Sequence, residues 1–220
     1  MSSLEPIKVH AHASGPNPWK VAIVLEELGV PYYMHMYSDM ADLKKEPYTL
    51  INPNGRVPAI EDPNTGVTLW ESGAIIQYLL DKYDPAGKLS YKTEPEKFYV
   101  NQWLFFQASG QGPYFGQLAW FTRFHHEDLP SAKERYHKEA GRVIMVLDSW
   151  LQKHKYLVGD KVTGADLSFL PWAAGIDFLA GDKKIEKGEA YQAWFNELMA
   201  RPAVKKVFAD KAKAMATQKH

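Results

Sequence analysis

Two short stretches of the chain carry residue types that can hold a small charged ligand. Asn52-Pro53-Asn54-Gly55-Arg56-Val57-Pro58-Ala59-Ile60 reads as a turn that runs into a strand through the Val57–Pro58 bond. Trp70-Glu71-Ser72-Gly73-Ala74-Ile75 reads as a strand end that becomes a helix start. A strand edge around Val57 offers backbone N–H and C=O groups to an extended peptide. Glu71 offers a carboxylate to an amino group. Ser72, with a helix N-terminus behind it, offers hydroxyl and N–H donors to a carboxylate. A ligand with an amine and a carboxylate on one carbon, attached to an extended peptide, fits this set.

Other chemistries find less support. His10 and His12 share a strand face, but no third metal ligand is evident. Gly110, Gly112 and Gly116 do not satisfy G-x-G-x-x-G and follow no strand, which excludes a dinucleotide fingerprint. His125-His126-Glu127-Asp128 reads as a solvated loop. The 220 residues contain no cysteine. Disulfides, thiolate metal sites, CxxC redox centres and a cysteine nucleophile are thereby removed, and a reducing compartment is compatible. Lys+Arg and Asp+Glu balance at 26 each, net charge +0, so nothing electrostatic argues for nucleic acid or an anionic membrane as partner. The basic tail Lys205, Lys206, Lys211, Lys213 and Lys219 alternates with alanine and reads as a solvated helical face. No apolar run is long enough to span a membrane, and the opening MSSLEPIKV lacks the pattern of a signal peptide. The expectation is a cytoplasmic protein.

The elements that must position these residues fall into two halves. A chain of this length buries roughly 70% of its unfolded surface. Residues 7–13 alternate and read as a strand. After the turn Ser14-Gly15-Pro16, Asn17 and Pro18 read as N-cap and first residue of a helix that ends at Gly29. Residues 32–37 read as a second strand, and 59–62 with 67–70 as a hairpin. Ser72 is read as the cap of a helix reaching Tyr83. The order β-α-β-α-β-β-α is a compact α/β unit over residues 1–84. Residues 85–93 are a linker, and 94–220 are read as all helical. There Gly110, Gly112 and Pro113 interrupt a long segment, and Ser131-x-x-Glu134 and Thr163-Gly164-Ala165-Asp166 read as capping boxes. Asp166 is therefore assigned to folding, not to catalysis.

The whole chain resembles the cytosolic glutathione transferases. The pairing of V-P-A-I with E-S-G-A-I, the short linker and the T-x-A-D box stand in the family's order. Gly15-Pro16-Asn17, Lys20-Val21-Ala22-Ile23-Val24-Leu25, Asn101-x-Trp103-Leu104-Phe105-Phe106-Gln107-x-Ser109-Gly110 and Arg201-Pro202-Ala203-Val204 resemble the branch of the fungal nitrogen-catabolite regulator and related bacterial disulfide-reducing transferases.

The resemblance implies a thioredoxin-like domain followed by a helical bundle, glutathione as substrate, no metal, and a homodimer. It implies glutathione contacts at Arg56, Val57, Pro58, Glu71, Ser72 and Lys44, with a cis bond before Pro58. It places the glutathione sulfur near the loop after the first strand, where Asn17 is the first choice of thiolate donor and Ser14 the second. Gly15 stands where some relatives have a helping threonine. Tyr114, Phe115, Trp120 and Arg123 fall where the family walls its second substrate, a small electrophile, peroxide or disulfide, although plain core packing explains them equally well. The expected reaction is attack by the glutathione thiolate on an electrophilic co-substrate. Glutathione-dependent disulfide or peroxide reduction is the near alternative. A non-catalytic regulatory protein of the same fold is the second, and it ranks lower because the branch's regulator carries a long Asn/Gln-rich arm where this sequence starts its first strand almost at once.

Overall fold

The computed structural model describes residues 4–217, so Lys219 lies outside the described residues. Two compact units are present. Residues up to Ser90 cluster with the segment from Ala200 onward, and Tyr91–Met199 form the other unit.

The first unit is built on a four-stranded sheet in the order β2-β1-β3-β4. β1 (Ile7–Ala11) buries Ile7, Val9 and Ala11 on one face, as period-2 alternation requires. α1 (Pro16–Leu28) crosses over to β2 (Tyr32–Met36), which pairs parallel to β1. A short helix, α2 (Tyr48–Ile51), precedes the hairpin of β3 (Ala59–Asp62) and β4 (Val67–Trp70). α3 (Ser72–Tyr83) follows at once. This is the thioredoxin-like layout.

α1 starts before the expected Asn17 cap. Gly15 is the N-cap, Pro16 is N1 and Asn17 lies inside the first turn. Two prolines fit there because first-turn N–H groups have no intrahelical acceptor to lose. α3 likewise begins at Ser72 with Glu71 in the cap position. The last helix, α10 (Pro202–Thr217), packs on α1. Arg201 forks onto the buried Glu27 carboxylate at 2.6 and 2.9 Å, and Lys206 reaches Glu26 at 2.8 Å. The basic tail is thus partly an ion-paired packing face, whereas the sequence suggested a purely solvated one.

The second unit is helical. α4 (Glu96–Phe106) runs into a π-helical turn at Gln107–Gln111, then α5 (Gly112–Ala119), then a second π-helical turn at Trp120–Phe124. The expected interruption at Gly110–Pro113 is instead a widening of one continuous helix, which absorbs a proline near the start of α5 without breaking the chain direction. α6 (Pro130–Leu151) buries Ala140, Val143, Ile144, Leu147 and Leu151. Its cap is Leu129 with no side-chain cap bond, so Ser131 and Glu134 do not form a capping box. α7 (Gly164–Ala173) does carry the box predicted from Thr163 and Asp166. α8 (Ile176–Ala180) and α9 (Glu189–Met199) complete the unit.

Candidate functional site

Strand register gathers the residues of interest at one end of the sheet. Ala59 pairs with Trp70 across the hairpin and with His10 across the β1–β3 ladder. The residues just before β3, Val57 and Pro58, therefore lie beside those just after β4, Glu71 and Ser72. The loop after β1, with His12 and Ser14, opens at the same end. The Val57–Pro58 bond is cis, as expected. Val57 precedes β3, so its backbone groups stand outside the sheet ladder.

Each part of this edge is held by its own contacts. The Arg56 carbonyl accepts from Tyr48 Oη at 2.5 Å and from Asn52 Nδ2 at 2.6 Å. Lys44 Nζ donates to the Gly55 carbonyl at 2.6 Å. Gly55 has φ 61°, and a Cβ there would stand 2.6 Å from the Leu43 carbonyl, so only glycine fits the turn. Lys44 is thus engaged in supporting the turn. The Arg56 side chain is exposed.

Glu71 has φ 71° and ψ 114°, and among the described residues it is the non-glycine residue with positive φ. Its side chain makes no cap bond to α3 and is exposed. Ser72 is buried, and its Oγ accepts from Lys20 Nζ at 3.4 Å. Lys20 is fully enclosed on α1, and burial pulls its pKa down to about 7 against the opposing pull of Glu71. In the sequence Lys20 entered only as part of a branch motif and His12 only as a strand-face histidine, neither was assigned to this site, and Tyr48 went unnoticed. A lysine between Trp19 and the apolar run Val21–Leu25 was the available signal for Lys20.

In the loop after β1, Ser14 Oγ and His12 Nδ1 share a hydrogen bond of 2.9 Å. Burial lowers the His12 pKa, which favours the neutral ring. Asn17 is half-buried in the first turn of α1. His10 does not converge with His12 on a metal. Its Nδ1 meets Tyr37 Oη at 2.9 Å and its Nε2 meets Glu61 at 2.8 Å. No group of three or more potential ligands able to hold a metal is found among the described residues.

The residues expected to wall a second substrate divide in the helical unit. Phe115 is fully buried and meets Trp172 edge-on, so it is core and offers no surface. Arg123 donates Nε and Nη2 to the Phe178 carbonyl at 2.9 and 2.6 Å and stacks on that ring, which engages it with α8. Trp120 is 49% exposed. Tyr114 is half-buried, with the Arg142 guanidinium 5.7 Å from its ring.

Comparison with known proteins decides the family. The glutathione S-transferase N-terminal domain matches residues 9–87, and the C-terminal domain of the same family matches residues 113–202. The chain belongs to the glutathione S-transferase family. This transferase is 45% identical to a glutathione S-transferase-like protein of Aspergillus fumigatus, over 96% of this chain and 98% of that one. The glutathione transferase URE2P6 of Phanerochaete chrysosporium, solved with oxidized glutathione, superposes with a TM-score of 0.90 at 47% identity, over 97% of this chain and all of that one. Ure2p5 of the same organism, cocrystallized with 1-(S-glutathionyl)-2,4-dinitrobenzene, gives 0.89 at 40% identity, with full coverage of both chains. No helix among the described residues of this transferase is long and apolar enough to cross a membrane.

Proposed function

We propose that this transferase binds glutathione along the Val57–Pro58 edge and uses its thiolate as the nucleophile. Val57 pairs with the extended peptide backbone. Glu71 receives the ammonium of the γ-glutamyl residue. Ser72 and the first N–H groups of α3 receive the carboxylate on the same carbon. Arg56 is the free candidate for the glycine carboxylate, with Lys44 supporting the turn beneath it. Asn17 donates its amide to the sulfur, and Ser14, already sharing its hydroxyl with His12, is the second donor. In the helical unit Trp120 and Tyr114 remain the co-substrate contacts.

The observation that carries this reading is Glu71. A non-glycine residue at φ 71° bears a backbone cost of about 1–3 kcal/mol. Its side chain caps nothing in return. Such strain is understandable where an exposed carboxylate must be aimed at a cationic group of a ligand.

In the reaction the thiol first loses its proton to solvent. A sulfur electron pair then forms the bond to the electrophilic carbon, and the leaving group departs with its own bonding pair. A free thiol has a pKa near 8.5, so a donor at the sulfur speeds the reaction by enlarging the thiolate fraction. Ultraviolet titration of the thiolate in the binary complex tests the assignment. Asn17→Ala raises the bound thiol's pKa and slows conjugation roughly ten- to a thousandfold, as for loss of one oxyanion donor. If only Ser14→Ala moves the pKa, the serine is the donor and Asn17 merely packs in the first turn.

The oxidized glutathione held by the relative from Phanerochaete favours a second reading, disulfide reduction. The thiolate would attack one sulfur of the disulfide and expel the other as a thiolate. With no cysteine in the chain, a second glutathione would complete that exchange. We further propose a two-fold homodimer, the commonest oligomer type. A monomer mass by sedimentation at micromolar concentration rejects it.

A further inference from the structure

The buried Lys20 has a role that the site described so far does not use. Lys20 is 2% exposed, yet its Nζ reaches Ser72 Oγ at 3.4 Å, at the N-terminus of α3. An ammonium has donors only, so Ser72 Oγ is the acceptor in this contact. A serine hydroxyl has a single proton, and a cation on its oxygen turns that proton the other way. We propose that Lys20 is a positioning residue of the ligand-carboxylate site: it holds the Ser72 hydroxyl as a donor and places a cation behind α3's first turn, so that the site takes a carboxylate and rejects a neutral amide. This rests on the glutathione site proposed above.

The surroundings of Lys20 support the role. Burying an ammonium is unfavourable unless an opposing charge compensates it. Glu71 supplies such a charge and acts on Lys20. On β1, Lys8 and His10 are paired with Glu61. Arg201, just before α10, and Lys206 on it are paired with Glu27 and Glu26, further along α1. On α3, Asp81 and Lys82 lie in the closing turns, away from Ser72. Burial leaves Lys20 titrating at about 7, so near neutrality it is only partly charged. A ligand carboxylate beside Ser72 raises that pKa. Binding at a pH above about 7 must then take up a proton, and affinity must fall as pH rises there, by at most about tenfold per unit. Below that pH, Lys20 is charged in the free protein too, and affinity is flat.

The test uses S-methylglutathione, whose sulfur cannot ionise, with calorimetry at about pH 6 and about pH 8 in buffers of different ionisation enthalpy. The expected result for the wild-type chain is uptake approaching one proton at the higher pH and weaker binding there. Lys20→Met binds more weakly at both pH values and takes up no proton. Lys20→Arg, always charged, restores affinity and loses the pH dependence. The analogue with its glutamyl carboxylate converted to an amide binds wild type poorly and is discriminated far less by Lys20→Met. Absence of proton uptake in the wild type overturns the proposal whether or not a variant folds. So does a folded Lys20→Met that keeps the wild-type pH profile. Ser72→Ala separates the two levels. If it leaves binding intact, the site reading itself fails. If it weakens binding while Lys20→Met behaves as wild type, only the role of Lys20 fails.

Discussion

Two helix N-termini in this molecule use the same residue classes to opposite ends. At α7 the Asp166 carboxylate is saturated by its own chain. One oxygen accepts from Leu157 N–H and Trp194 Nε1–H, both at 3.0 Å. The other accepts from Thr163 N–H at 2.9 Å and Thr163 Oγ1 at 2.8 Å. The group is wholly buried, and burial pushes its pKa up against those four bonds. At α3 the Glu71 carboxylate is exposed, caps nothing, and stands on a strained backbone, while the Ser72 hydroxyl beside it is polarised from behind by Lys20. A carboxylate filled by its own chain is an organ of folding. One left open, at a conformational cost, is available to a ligand.

Removing Asp166 produces the largest effect that bears on this contrast. Asp166→Ala leaves the Leu157 and Thr163 N–H groups and the Trp194 indole without their acceptor. Each buried orphan costs about 1–3 kcal/mol, so the sum is about 3–9 kcal/mol, a large share of a domain's stability. Denaturant titration should show this loss, and the folded fraction should bind glutathione as before. A stable variant that has lost binding would erase the distinction between the two helix starts.

The same contrast shows what was legible in the sequence. The Thr163–Asp166 box could be read because a cap is local: four consecutive residues carry both partners. The hairpin of β3 and β4 was readable for the same reason, since its turn and alternation lie within 59–70. Glu71 and Ser72 could be singled out by type, but not the backbone twist at Glu71, which depends on how β4 feeds α3. Lys20 was hidden because its partner stands 52 residues away. The helix starts were misplaced at Asn17 and Ser131, where proline one residue earlier took N1 and overrode the polar cap signal. Phe115 and Arg123 were legible as residue types facing something, and only their packing shows that they are engaged with Trp172 and Phe178.

The open end of the comparison is sharpened by a variant that keeps its shape. Glu71→Gln retains size and hydrogen bonding but removes the charge offered to the glutamyl ammonium. A charge-assisted contact is worth about 1.5–3 kcal/mol, or roughly a 10- to 150-fold loss of glutathione affinity. Calorimetry is the measurement, with an unchanged melting curve as the control. Unchanged affinity would mean that Glu71 is strained for some reason other than this ligand.

The smallest effect has the opposite sign and isolates the strain itself. Glycine adopts φ 71° at little cost, so Glu71→Gly relieves the backbone at that position. Glycine is also tolerated at an N-cap, and the Glu71 side chain makes no cap bond that would be missed. Against this, glycine loosens the unfolded chain, which offsets part of the gain. The net expectation is a stability increase of about 0.5–1 kcal/mol. Burial of Lys20 opposes that gain, because Glu71 is its compensating charge and its removal lowers the lysine's pKa further. The gain should therefore be larger at a pH well above 7, where Lys20 is neutral with or without Glu71, and smaller below it. Thermal melts of Glu71→Gly and wild type at the two ends of that range read both terms. A variant that is more stable at high pH yet binds glutathione poorly is what a residue strained for binding predicts. A variant destabilised at every pH would show that Glu71 supports the start of α3, and the two helix N-termini would then differ in degree only.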